Sequence, residues 1–351
     1  MRIAMISTPF VSVPPKDYGG TELVVHELTE GLIERGHHVT LFAPGDSVTS
    51  AELIALFPRA QWPPEALTEL DHISLAFQAI ANGGFDVVHA HSAVALALAR
   101  LVPRLPLVYT LHHERDERLS SFYRSFSDVW YIAISDDQRR REIPLRLTQV
   151  IHHGVDVRRY AWTDAPGDYV AFIGRLSPIK GPHTAIDAAG RAGVAIHVAG
   201  DVHPVDREFG EREMRRRLDL PHVRYLGAIG MAAKVLLLRD ARALLTPVEW
   251  NEPFGLAIVE AMLSGCPVVG FAHGSLPELI EPGVTGFLAA TEAEMVELLR
   301  PGGVLDRFDR RRCHECAVLR FGRDRMVADH ERYYWRAISA SRAGRRRMAA
   351  D

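Results

Sequence analysis

Tyr169-Val170-Ala171-Phe172-Ile173-Gly174-Arg175-Leu176-Ser177-Pro178-Ile179-Lys180-Gly181-Pro182 reads as a strand, a loop and the start of a helix. The apolar run from Tyr169 to Gly174 suits a buried strand, the loop after it carries two cations, and Pro182 suits a first helical turn. The position of this stretch decides the fold. Immediately upstream, Arg158 to Asp168 is polar and holds Pro166-Gly167, the composition of an interdomain linker. A strand–helix rhythm therefore stops near residue 160 and restarts here.

Upstream, apolar runs predict strands at Ile3–Ile6, Val39–Ala43, Asp86–Ala90, Leu107–Leu111, Trp130–Ile134 and Thr148–His152, with helices between them. In the first helix, Thr21–Arg35, residues Leu23, Val24, Leu28, Leu32 and Ile33 fall at helical spacing, and Gly36 ends it. Downstream, strands are expected at Ala195–Ala199, Val223–Leu226, Ala243–Thr246 and Pro267–Phe271. The expected class is α/β, with two Rossmann-like, doubly wound parallel sheets in series. A chain of 351 residues is too long for one ordinary core and suits two domains. The reading places them at 1–160 and 161–322.

With 47% hydrophobic and 24% charged residues, the composition is that of a soluble globular protein. The net charge of −3 indicates no global attraction to nucleic acid. Cys266, Cys313 and Cys316 are too few and odd in number for a disulfide scaffold, which points to a reducing cytoplasm. Cys313-His314-Glu315-Cys316 has the look of half a zinc site, but no second ligand pair accompanies it, so helical surface residues are the expectation and no metal is assigned. The first apolar run is too short for a signal peptide. Ala93 to Val102, the longest apolar candidate, contains Arg100 and reads as a buried helix rather than a membrane span. From Arg307 to Arg347 there are 13 arginines against five acids, a net +8 that leaves the rest of the chain at −11. That segment is either a solvated helical face or a peripheral contact with an anionic membrane at its inner face.

Only Lys16, Lys180 and Lys234 are lysine among 41 basic residues. Genome composition accounts for the arginines, and each retained lysine becomes worth inspecting. Lys180 shares its loop with Arg175. A guanidinium offers a rigid fork of donors, an ammonium a flexible point charge, and with a helix N-terminus the two can neutralise a leaving diphosphate without a metal. Lys16 precedes Gly19-Gly20, paired glycines at a helix start that let a ligand approach backbone N–H groups. Lys234 has no assignment.

A second segment, Glu252-Pro253-Phe254-Gly255-Leu256-Ala257-Ile258-Val259-Glu260, follows the strand Ala243–Thr246 and enters a helix. Pro253 and Gly255 shape a turn that exposes N–H groups. Glu260 is expected two turns into the helix with its carboxylate directed back toward the N-terminal end, where it can accept two ribose hydroxyls. Read alone, both glutamates could equally be helix-start charges. His112 and His113 end the strand Leu107–Leu111, where a catalytic group would sit, with His113 expected to turn away. His152 and His153 are expected to close the first domain structurally.

Taken together these pieces resemble a retaining family-4 glycosyltransferase of the GT-B fold, over nearly the whole chain. They run in the family's order: Tyr18-Gly19-Gly20-Thr21-Glu22-Leu23, Tyr109-Thr110-Leu111-His112, Ala133-Ile134-Ser135, Gly154-Val155-Asp156, Gly174 to Gly181, Glu252-x7-Glu260, Pro267-Val268-Val269, Gly274-Ser275-Leu276-Pro277-Glu278 and Gly283-Val284-Thr285-Gly286. Val13 to Gly20 and Glu249 to Leu256 resemble a bacterial subgroup related to an avilamycin-pathway glycosyltransferase. The resemblance implies two domains facing a cleft and a hexosyltransferase-type enzyme. It implies a UDP- or GDP-type sugar donor as co-substrate, no other cofactor and no metal. The acceptor would be a hydroxyl of a small molecule, lipid or glycan.

Carried over by position, Arg175 and Lys180 would bind the diphosphate and Glu260 the ribose. Glu252 and the amides of Phe254, Gly255 and Leu256 would hold donor-sugar hydroxyls. Gly19 and Gly20 would face the diphosphate, and His112 would contact the donor sugar near the reacting centre. His112 and Glu252 are thus the catalytic candidates, Glu252 with a positional and electrostatic role. A C-terminal helix, within 323–351, would cross back onto the first domain. Ser275 stands where the family commonly has a second glycine, a departure that could alter donor-sugar contacts. The base is expected to meet backbone groups near Leu226 to Ile229. Rival readings are an epimerase or phosphorylase of the same fold, or a catalytically silent sugar-nucleotide-binding partner.

Overall fold

The computed structural model describes residues 1–16, 19–103 and 105–348, with side chains up to 343. Tyr18 and the guanidinium groups of Arg345, Arg346 and Arg347 therefore lie outside the described residues. Two compact units divide the chain, residues 1–155 with those from Arg323 onward, and Asp156–Gly322.

The boundary falls at 155/156 rather than 160/161, and the expected linker is packed rather than free. Tyr160 is buried and donates its hydroxyl to Glu260 at 3.0 Å. Gly167 N–H reaches Asp240 O at 2.6 Å, and the Trp162 ring stacks on His314. Arg158 to Asp168 is polar because it runs over the surface of the second unit, satisfying its backbone there.

The first unit holds β1 (Arg2–Ile6), β2 (His38–Phe42), β3 (Glu52–Ile54), β4 (Val87–Ala90), β5 (Leu107–Thr110), β6 (Trp130–Ala133) and β7 (Thr148–Val150). They form one parallel sheet in the order β3-β2-β1-β4-β5-β6-β7. Helices cover both faces, so the central strands are apolar along their whole length: Ile3, Ala4, Met5 and Ile6 are all fully buried. The helix Arg323–Met348 belongs to this unit. Its Tyr333 hydroxyl donates to Tyr131 O and Leu147 O at 3.0 and 2.8 Å, and Arg323 Nη2 donates to Glu34 Oε2 at 2.5 Å.

The second unit repeats the plan with β8 (Tyr169–Ile173), β9 (Ala195–Ala199), β10 (Val223–Gly227), β11 (Leu244–Thr246), β12 (Val268–Phe271) and β13 (Gly286–Ala289), in the order β10-β9-β8-β11-β12-β13. Its core joins Val170, Phe172, Ile196, Val198, Leu245 and Val269 to the helix Pro182–Ala192. Each sheet has a switch point where the strand order reverses, β1/β4 in the first and β8/β11 in the second. The loops at the carboxyl ends of such strands make the crevice in which doubly wound folds bind ligands.

Part of the basic C-terminal segment is engaged inside the fold. Arg310 is buried and donates to the carbonyls of Thr163, Ala241 and Arg239 at 2.7, 2.8 and 2.6 Å. Arg320 reaches Leu279 O and Glu278 O, and Arg325 reaches His152 O and His153 O. These three arginines are structural donors, while Arg307, Arg311, Arg312, Arg332, Arg336 and Arg342 are exposed. No helix among the described residues is long and apolar enough to cross a membrane.

Cys313 is buried with its sulfur 3.7 Å from Met262 O, and His314 Nδ1 lies 2.6 Å from Leu263 O. This part of the Cys-His-Glu-Cys run packs on the helix Leu256–Leu263 instead of facing solvent.

Candidate active site

In the second unit the loops after β8 and β11 are neighbours because their strands are paired. Glu249 N–H donates to Ile179 O at 2.9 Å, tying one loop to the other beside Lys180. Lys180 ends the short 3-10 turn Pro178–Lys180. Its ammonium donates to Glu252 Oε2 and lies 4.7 Å from the Trp250 ring centroid. Trp250 Nε1–H donates to the same Glu252 oxygen at 3.0 Å. Both charged groups are largely covered, with side-chain exposures of 19% and 11%. The indole thus adds a cation–π contact and a hydrogen bond to one ion pair.

Arg175 does not join that pair. Its Nε lies 3.5 Å from Asp206 Oδ2, an ion-pair distance at which neither buried atom has a hydrogen-bond partner. The loop predicted as a two-cation cradle thus presents Arg175 and Lys180 with different acidic partners.

Glu260 lies in the helix Leu256–Leu263, whose N-cap Gly255 has φ 89° and no side-chain capping bond. Only glycine adopts that backbone readily, and the uncapped start leaves helix N–H groups available. Glu260 is the fifth residue of the helix, one turn in rather than the two expected. It is buried. Its Oε1 accepts from Tyr160 at 3.0 Å and from Lys234 Nζ at 2.5 Å. Lys234, which the sequence left unassigned, is on the helix Met231–Asp240, just beyond Leu226 to Ile229. Two of the three lysines are thus spent on the two glutamates of the Glu252-x7-Glu260 motif.

Phe254 is buried edge-to-face against Phe321, and its carbonyl accepts the Ser275 hydroxyl at 2.7 Å. Ser275 N–H donates to Glu252 O at 2.9 Å. The Ser275 side chain is fully buried in holding this turn. Gly274, at φ 58°, lets this happen: a Cβ there would overlap the backbone N and O of Glu252.

In the first unit, Gly19 is the N-cap of the helix Gly20–Glu34, which again lacks a side-chain cap. Lys16 pairs with Asp46 at 3.2 Å and is largely exposed. His112 Nε2 lies 2.7 Å from His91 Nδ1, and its ring stacks on His153 at 5.4 Å between centroids. One proton serves the His91–His112 contact, so the tautomers of the two rings are coupled. Burial, aided by the nearby His113 and His330, pushes His112 down to about 3, and His89, His91 and His153 are held well below the ordinary histidine value by burial first. His112 is therefore a neutral hydrogen-bonding group near pH 7. His113 turns the other way, its Nε2 2.6 Å from the Tyr123 hydroxyl.

Two doubly wound parallel sheets in one chain, with ion-paired lysines and glutamates beyond the strand ends of the second, have the architecture of the GT-B fold. The model described as Glycosyltransferase Family 4 matches residues 18–159, and the one described as Glycosyl transferases group 1 matches 163–300. This chain belongs to the family-4 glycosyltransferases. It is similar to the phosphatidyl-myo-inositol mannosyltransferase of Mycobacterium leprae, at 28% identity over 88% of this chain and 90% of that protein. Among solved structures, a glycosyltransferase involved in avilamycin A biosynthesis shares 25% identity, 97% of this chain, 98% of that one and a TM-score of 0.73. The fold is also that of Anabaena HepE in complex with UDP and glucose, at 22% identity, with 95% of this chain and 98% of that one covered and a TM-score of 0.74.

Proposed function

We propose that this enzyme moves a sugar from a UDP- or GDP-type donor to a hydroxyl of a small molecule, lipid or glycan, with retention and without a metal. The observation that carries the reading is the pairing of Lys180 with Glu252 and of Lys234 with Glu260 at the β8/β11 switch point. In this reading Arg175 and Lys180 bind the diphosphate, and the arriving phosphate competes with Glu252 for the Lys180 ammonium. Glu252 and the amides of Phe254, Gly255 and Leu256 orient the sugar, while Glu260 takes the ribose. On the first unit, the uncapped helix start at Gly19-Gly20 suits an anion, and neutral His112 suits a sugar hydroxyl.

The leaving phosphate assists deprotonation of the acceptor, and the cations around it stabilise the charge it gains. No covalent role is needed for Glu252. Support comes from the complex of HepE with UDP and glucose and from a relative named for a phosphatidyl-inositol acceptor.

The test is a screen of UDP- and GDP-sugars for thermal stabilisation, followed by turnover with chelator present and NMR of the product's anomeric centre. Stabilisation by one donor class, chelator-resistant turnover and retained configuration are expected. Absence of both stabilisation and donor cleavage would overturn the reading.

A further inference from the structure

Glu260 is a carboxylate with 3% side-chain exposure, in the interior of a helix. A buried carboxylate needs a counter-charge and hydrogen bonds, or its burial becomes strongly unfavourable. Here both arrive on one atom. Lys234 Nζ and the Tyr160 hydroxyl converge on Oε1, and neither touches Oε2. Both precede it in sequence, Tyr160 in the strip before β8 and Lys234 in the helix after β10. The arrangement repeats the one at Glu252, where a lysine and an aromatic side-chain donor also share a single oxygen.

We propose that Lys234 is a positioning residue for ribose recognition: with Tyr160 it pins Oε1 of Glu260 and so fixes Oε2 to accept the hydroxyl pair of a nucleoside diphosphate. This rests on the donor reading above. An unpinned glutamate samples several rotamers, and ordering it on ligand arrival subtracts from affinity. Lys234 removes that loss in advance, and its charge strengthens the hold. With three lysines in 351 residues, Lys234 also offers a flexible stem that an arginine fork would fit less well.

The experiment is calorimetry with UDP and GDP and with their 2′,3′-dideoxy forms. The proteins are wild type and the variants Lys234→Met, Lys234→Arg, Tyr160→Phe, Glu260→Gln and Lys234→Met/Glu260→Gln. For whichever ribonucleotide the wild type binds, Lys234→Met is expected to weaken affinity at least about tenfold, the size of one charge-assisted hydrogen bond. Lys234→Arg is expected to recover part of the loss, and Tyr160→Phe to cause a smaller one. Dideoxy affinity should be unchanged in all three, and Lys234→Met should add nothing in the Glu260→Gln background. Equal weakening of ribo and dideoxy forms, or no weakening, would overturn the inference. If Lys234→Met fails to fold, ribo-selective loss in Tyr160→Phe and Lys234→Arg decides the matter in the same way. If wild type binds neither nucleotide, or Glu260→Gln keeps full ribose selectivity, the donor reading itself fails. If Glu260→Gln loses selectivity and Lys234→Met keeps it, only the role of Lys234 falls.

Discussion

Lys180 and Glu252 meet as a direct ion pair although 72 residues separate them, and Trp250 contacts both partners. The backbone bond from Glu249 to Ile179 fixes their loops at that spacing. The pair carries no net charge, and the carboxylate and the indole together hold the Lys180 ammonium in one place.

Replacing Lys180 with methionine keeps the stem's bulk and removes the charge. Turnover is expected to fall at least about 100-fold, the order seen when one stabilising group of a developing charge is lost. Initial rates of donor cleavage check this; near-normal rates would remove Lys180 from the diphosphate site.

Ser275→Gly restores the residue common in the family but deletes the bond to Phe254 O. The expected loss is about 1 kcal/mol of stability, with donor-sugar preference unchanged. Gly274→Ala is expected to be worse, by about 1 to 3 kcal/mol, because φ 58° and the Glu252 backbone both oppose a Cβ. Thermal melts and a panel of donor sugars read both variants.

The buried histidines of the first unit predict a pH dependence with a definite sign. His112 is pushed down to about 3 and His330 to about 4, both chiefly by burial, and His89, His91 and His153 are also held low. The unfolded chain takes up protons below its ordinary value of 6.5 while the folded rings stay neutral. Stability should therefore be flat above pH 7 and fall as pH drops from 6.5 toward 4. Each ring contributes up to about 1.4 kcal/mol per pH unit. Urea midpoints at pH 7.5, 6 and 5 check this, and His330→Gln should lessen the slope.

Arg310→Met leaves the carbonyls of Thr163, Ala241 and Arg239 without their donor. A loss of about 3 kcal/mol or more is expected in chemical denaturation, at the high end for a single substitution. A change under 1 kcal/mol would mean those carbonyls find water instead.

The central strands were legible because a strand covered by helices on both faces must be apolar throughout, as at Ile3–Ile6 and Val170–Phe172. Two edge strands were missed. Glu52–Ile54 is only three residues long, and Gly286–Ala289 begins on a glycine that read as part of a turn motif. The glutamates, Arg175 and Lys180 could be placed because loops after strand ends carry chemistry in this architecture. What they bond to could not. Lys234 and Glu260 come together only through packing of the helices after β10 and β11, and nothing in the sequence between them, at a separation of 26, encodes that contact locally. The rarity of lysine was the sole available signal. The histidine cluster gathers side chains from β4, the end of β5, residue 153 and the last helix, a convergence no linear pattern displays.

The helix Arg323–Met348 completes the first unit from the far end of the chain, so the second unit is an insertion within the first. On a ribosome, residues 156–322 emerge as one uninterrupted piece and can finish folding while the first unit still lacks Tyr333 and Tyr334. Tyr131 O, Leu147 O and His89 wait for those two side chains throughout. The half that begins the chain is therefore the half completed last, and loss of the final helix would strand it unfinished beside an intact partner.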